Sequence, residues 1–160
     1  MDDPEGRIER ETLDPAQIAQ SVAEQLRMSA EKMQVEMTVD AQSCMISADR
    51  RMIEELIHNL CDNAIRYNVR GGSVRLTVRP VREAVLILVQ DTGIGISREH
   101  QERVFERFYR VDKSRSKATG GTGLGLAIVK HIAVKHGAKI SLKSELGSGT
   151  TIMVRFDRAG

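Results

Sequence analysis

Tryptophan is absent from this 160-residue chain, which carries only two tyrosines and three phenylalanines. So thin an aromatic set leaves no stacking platform for nucleic-acid bases. An excess of either charge is also missing. The 24 basic side chains face 22 acidic ones, and a net charge of +2 argues against a general nucleic-acid binder. Cysteine is scarce: Cys44 and Cys61 match no zinc or redox spacing and read as two small buried hydrophobes in a reducing compartment. No apolar run approaches a membrane span, and no secretory leader opens the chain. The length suits one domain with a full core. The expectation is a soluble cytosolic domain, cut from something larger.

Glycine, by contrast, is plentiful, and six of the thirteen fall in two clusters. Asp91-Thr92-Gly93-Ile94-Gly95-Ile96 follows an apolar run, and Thr119-Gly120-Gly121-Thr122-Gly123-Leu124-Gly125-Leu126 opens a helical pattern. Glycine lets backbone approach a ligand and take positive φ without steric penalty. A helix N-terminus offers free N–H groups and partial positive charge to a phosphate. The pair points to a nucleotide site, but not to either of the two commoner kinds. A P-loop needs Gly-Lys followed by Ser or Thr, and Gly125 is followed by Leu126. The dinucleotide fingerprint follows a first strand, whereas Gly121, Gly123 and Gly125 alternate late in the chain.

Residues 1–13 are polar and read as a linker or the remnant of a preceding domain. Asp14-Pro15 reads as N-cap and first helical residue of an amphipathic helix reaching about Lys32. Alternation predicts a strand at 35–40, with 44–47 as its short partner. Asp49 caps a second helix to about Tyr67, its apolar stripe running from Ile53 to Ala64. Val74, Leu76 and Val78 alternate as a strand, a turn is expected at Pro80, and 84–89 reads as a central strand. One or two short helical turns are expected over 97–109, a basic loop over 110–121, and a third helix from Gly123 to His136 closed by Gly137. A hairpin of 139–144 and 150–156 ends the domain, placed at 14–157, with 158–160 as a tail. The fold class is α/β: a two-layer α/β sandwich with three main helices on one face of a mixed sheet.

Glu55, Asn59 and Asn63 recur at i, i+4, i+8 along the second helix, and Arg66 and Tyr67 continue that side. Alone, such a stripe equally describes an exposed face. With Phe105-Glu106-Arg107-Phe108-Tyr109-Arg110 and the glycine clusters it forms an ordered set of four motifs. Residues 59–67, 91–96, 105–110 and 121–126 resemble the N, G1, F and G2 boxes of bacterial sensor histidine kinases. The resemblance implies the Bergerat ATP-binding fold, with ATP and Mg²⁺ as cofactors.

By that resemblance Asn59 is the metal ligand, and its carboxamide oxygen suits Mg²⁺. Asn63 faces phosphates and water, Arg66 neutralises phosphate charge, and Tyr67 packs near adenine and ribose. Asp91 accepts a hydrogen bond from the adenine 6-amino group, a contact guanine cannot make. Gly93, Gly95 and Ile96 line the base. Thr122, Gly123, Leu124 and Gly125 offer backbone N–H groups to phosphate. The segment between the F and G2 boxes is the expected ATP lid, with Arg110 on the γ-phosphate; Lys113, Arg115 and Lys117 read equally as solvated charges. Phe105, Phe108 and Tyr109 are expected mainly to pack at the lid base. Glu55 stands where related ATPases keep a water-activating carboxylate, and its catalytic role stays open.

The resemblance places the phospho-acceptor on a histidine of a preceding dimerisation domain, usually followed by proline five residues later. None of His58, His100, His131 and His136 has that proline, so each reads as a surface or packing histidine. Expected partners are therefore a histidine-containing dimerisation domain and a response regulator receiver domain, with no nucleic acid. The isolated domain is expected to be monomeric and the full-length protein a homodimer, anchored in the inner or plasma membrane with this domain facing the cytoplasm. The alternative is a stand-alone relative: an ATPase, a serine kinase or a nucleotide-sensing module.

Overall fold

The computed structural model describes residues 7–107, 109 and 125–159. Among the described residues seven strands and four helices follow one another: β1 (Glu11–Leu13), α1 (Pro15–Lys32), β2 (Glu36–Ala41), β3 (Ile46–Ala48), α2 (Arg50–Arg66), β4 (Ser73–Val81), β5 (Ala84–Asp91), α3 (Arg98–Gln101), α4 (Gly125–Lys135), β6 (Lys139–Glu145) and β7 (Gly149–Asp157).

Local chemistry sets the helix ends. Asp14 Oδ1 accepts from Ala16 N–H at 2.8 Å, with Pro15 at the first helical position of α1. Asp49 Oδ1 accepts from Met52 N–H at 3.2 Å and starts α2. Gly137, at φ +66°, ends α4 in the left-handed conformation that glycine takes most readily.

The main sheet has the order β2-β4-β5-β7-β6. β2 and β4 are parallel and every other pair is antiparallel. Alternation turns Val74, Leu76, Val78, Val85, Ile87, Val89, Ile152 and Val154 to one face, where Ile53, Leu56, Ile57 and Leu60 of α2 meet them. Helix α2 packs between α1 and α4 in the helical layer above the sheet. Both cysteines are buried and free, as their spacing suggests, and burial pushes the Cys61 thiol up to about 12.

Three sequence expectations need correction. Residues 44–47 do not pair with β2. Gln42 N–H bonds to the Val78 carbonyl at 2.8 Å, so the chain runs on along β4 instead of turning back. β3 pairs instead with β1, Leu13 opposite Ile46, and both are almost fully buried. The end of the presumed linker is thus a strand held by the fold. Pro80 is not a turn residue either. It lies within β4 opposite Val85, and the turn comes at 82–83, with Arg82 at φ +36°. Pairing with β2 stops at Val78, so Pro80 sits where β4 has a single neighbour and a missing N–H is tolerated.

Candidate functional site

Glu55, Asn59, Asn63 and Arg66 share the outer stripe of α2. Glu55 is exposed and the other three are half-buried. The Asn59 amide nitrogen donates to the Glu55 carbonyl at 2.8 Å, which fixes the amide plane. A methyl group built on Gly125, the first residue of α4, would lie 3.4 Å from Asn59 Oδ1. The N-box asparagine and the end of the second glycine cluster therefore face one another across a narrow gap. Arg66 is already engaged: its Nε lies 2.8 Å from Asp62 Oδ2 one turn back.

The helix delivers its C-terminus to the first glycine cluster. Tyr67 caps α2, and its carbonyl accepts from Ile94 N–H at 3.1 Å. Gly93 is buried against that same carbonyl, and a Cβ there would clash with it and sit 3.0 Å from Asn68 Cα. Gly95, at φ +73°, is pressed against the Glu145 carbonyl and lies 2.9 Å (Cβ position) from Leu146 Cα. Only glycine fits at either place. Eight residues of helix separate Asn59 from Tyr67, about 12 Å along the axis.

Asp91 ends β5, and its Oδ1 accepts from Gly93 N–H at 2.9 Å and Thr150 N–H at 3.2 Å. Among the described residues no donor meets Oδ2. Burial raises the Asp91 pKa above its ordinary value, and the two N–H bonds oppose that without cancelling it. A desolvated carboxylate with one oxygen anchored and one open is built to accept from a polar group entering the site.

Several residues in this frame escaped the sequence reading. Asn68 is 1% exposed; its Nδ2 donates to the Ser73 carbonyl at 2.9 Å and its Oδ1 accepts from Val69 N–H at 2.8 Å. An asparagine between a helix end and Gly71-Gly72 is a turn signal that could have marked it. Ser144, Thr150 and Gln101 also hold the cluster, but nothing in their local pattern distinguishes them from ordinary strand and helix residues.

Tyr109 hydrogen-bonds through its hydroxyl to His100 Nδ1, and the Arg103 guanidinium lies 4.5 Å above its ring. Phe105 and Tyr109 pack against the core, the packing role expected of them. Ile96 packs there too, partly buried. His136 is a packing histidine, buried with its ring edge-on to Phe156. Phe108, Arg110, Lys113, Arg115, Lys117, Thr122, Gly123 and Leu124 lie outside the described residues. Among the described residues no helix is long and apolar enough to cross a membrane.

Known proteins resemble this chain in sequence and in fold. Residues 48–160 match the family described as histidine kinase-, DNA gyrase B-, and HSP90-like ATPase. The sensor-like histidine kinase SenX3 of Mycolicibacterium smegmatis is 43% identical over 142 residues, covering 88% of this chain and 37% of that protein. The sensor histidine kinase YkoH of Bacillus subtilis is 38% identical over 149 residues, 93% of this chain and 32% of its own. The chain spans about a third of the length of these curated relatives. Among solved structures, full-length ShkA in complex with AMPPNP superimposes with a TM-score of 0.83 at 26% identity, over 98% of this chain and 33% of that one. The mycobacterial sensor histidine kinase MprB gives 0.81 at 25% identity, over 94% and 98%.

Proposed function

The chain belongs to the histidine kinase-, DNA gyrase B- and HSP90-like ATPases and is an ATP-binding catalytic domain of the sensor histidine kinase type; from that premise we propose that it holds Mg-ATP for phosphoryl transfer to a histidine on a separate dimerisation domain. The observation that carries the reading is Asp91. Its Oδ1 is anchored by Gly93 and Thr150, which leaves Oδ2 to accept from the adenine 6-amino group. Gly93 and Gly95 bring backbone close to the base, and Tyr67 and Ile96 flank it. Asn63 lies between Tyr67 and Asn59 along α2, and Arg66, beside Tyr67, releases or shares Asp62 when its guanidinium meets phosphate.

Asn59 suits Mg²⁺. Its nitrogen is tied to the Glu55 carbonyl, which leaves a hard amide oxygen on the side of Gly125. Among the described residues no three His, Cys, Asp or Glu side chains gather as a metal cluster, so the remaining ligands come from phosphates and water. When bound, the ion offsets charge on the β- and γ-phosphates. Thr122, Gly123, Leu124 and Gly125 supply N–H groups and Arg110 meets the γ-phosphate, by the resemblance of their motif. Glu55 is exposed, and its backbone carbonyl accepts from the Asn59 amide. We assign its carboxylate no proton transfer.

In the transfer an imidazole nitrogen of the acceptor attacks the γ-phosphorus as the bond to the β–γ bridging oxygen breaks, giving phosphohistidine and ADP. The acceptor domain passes the phosphoryl group to a response regulator receiver domain. The domain alone is a monomer, and the whole kinase is a homodimer at the inner or plasma membrane, with this part in the cytoplasm.

Calorimetry should show Mg-ATP and ADP binding to the isolated chain. Radiolabelled ATP should leave no acid-labile phosphate on it until a histidine-containing dimerisation domain is added. Absence of ATP binding, or phosphohistidine formed on this chain alone, would overturn the reading.

A further inference from the structure

On the premise that Asp91 reads the base, we propose that Gln101 is a positioning residue for the base-recognition loop, acting through Ser144. It lies outside both glycine clusters, at the last position of α3. Its Nε2 donates to the Ile96 carbonyl at 2.8 Å and to the Ser144 carbonyl at 3.1 Å. A primary amide nitrogen carries two hydrogens, and both are used here.

Ser144 meets the same residue from the other side. Its Oγ accepts from Ile96 N–H at 2.7 Å, which leaves its own proton for the Gly149 carbonyl at 2.9 Å or Thr150 Oγ1 at 2.8 Å. Thr150 in turn gives its backbone N–H to Asp91 Oδ1. Both the N–H and the C=O of Ile96 are therefore fixed by two side chains, and one bonded path runs from α3 to the carboxylate at the loop's far end. The loop is short and glycine-containing, so its own residues do little to restrict it. Gln101 and Ser144 hold the end that β5 does not.

Two substitutions separate this role from a structural one. Gln101→Met keeps the side chain's length and removes both donors. Gln101→Glu keeps its shape and sets a carboxylate against two carbonyl oxygens. ATP and GTP are titrated calorimetrically into each folded variant, alongside thermal melting. Gln101→Met should weaken ATP binding about threefold to tenfold, the net worth of roughly one hydrogen bond, and narrow the preference for ATP over GTP. Ser144→Ala should narrow it likewise. Gln101→Glu should lose more at neutral pH and recover relative to the parent as acid protonates the carboxyl, restoring one donor and removing the charge.

Variants that melt earlier yet keep the parent's ATP affinity and ATP-to-GTP ratio would make Gln101 structural only, and the proposal would fail. A parent chain that binds no ATP would instead strike the nucleotide reading itself. The Met variant carries the test if the Glu variant does not fold.

Discussion

The two ends of the site are built differently. At the proposed base end, the loop from Asp91 to Ile96 is held by backbone and side-chain bonds from Tyr67, Ser144, Gly147 and Thr150. Its glycines are packed so tightly that a single methyl group would meet backbone. At the proposed phosphate end, the Asn59 side chain has one bond, to its own helix, and Glu55 is exposed. Adenine is neutral and presents fixed edges, so its recognition gains from a pre-formed frame. Phosphates bring charge and an ion with them, and that end needs donors more than rigidity.

Rigidity confined to the base end makes Gly95 the most sensitive point. Gly95→Ala adds a Cβ against the Glu145 carbonyl in a backbone at φ +73°. The left-handed conformation costs an L-residue about 1–2 kcal/mol, and overpacking against backbone adds about 1–3 kcal/mol. Urea unfolding should show a loss of about 2–5 kcal/mol, with nucleotide binding reduced in whatever remains folded. Among the described residues Gly125→Ala meets ordinary contact with Asn59, and its stability should stay near the parent's. Equal losses at the two glycines would dissolve the contrast between the ends.

The next effect in size separates affinity from metal dependence. Asp91→Ala should cost ATP about 1.5–3 kcal/mol, the worth of a hydrogen bond to a charged group. It should cost ATP and ADP alike, because both carry the base. Asn59→Ala should leave ADP binding without metal nearly untouched and abolish the gain in affinity that Mg²⁺ gives ATP. Calorimetry with and without Mg²⁺ reads both. Asp91→Ala binding ATP at parental strength, or Asn59→Ala keeping the full Mg²⁺ effect, would misplace the corresponding end.

The same contrast explains what the sequence disclosed. Asp14 and Asp49 were visible as caps because each acts on the next turn of its own helix. The stripe Glu55-Asn59-Asn63 was visible because helical period alone sets residues on one side. The phosphate end is made of such local features. Ser144 and Thr150 are different. Ser144 lies 48 residues from Ile96, and Thr150 lies 59 from Asp91. They reach the loop only because β7 pairs with β5 and β6 with β7. No local pattern encodes that pairing. The pairing of β3 was missed for a related reason, since β1 lies in a polar stretch whose single apolar anchor, Leu13, shows no alternation.

The smallest expected effect concerns acid, and it should have opposite signs at the two ends. His136 Nδ1 lies 2.8 Å from the Ile132 carbonyl, and its Nε2 accepts from Asp49 N–H at 3.1 Å, an arrangement open only to the neutral ring. Burial pushes its pKa below the ordinary 6.5; Arg10 adds to this, while the Ile132 bond and the Asp49 carboxylate oppose it. The unfolded chain therefore binds this proton first as pH falls. Stability from His136 is complete above 6.5 and is lost as pH drops through the lower native value. Because Asp49 caps α2, the loss falls on the helix that carries Asn59. Asp91 is shifted the other way, upward from 3.8, so acid relieves its burial cost, and only in the carboxyl range. Urea unfolding followed downward from neutral pH should show falling stability in the parent chain and a flatter profile in His136→Phe. Hydrogen exchange should show the first turn of α2 opening before the Asp91 loop. Parallel profiles, or loss of protection at the Asp91 loop first, would remove His136 as the support of the phosphate-end helix.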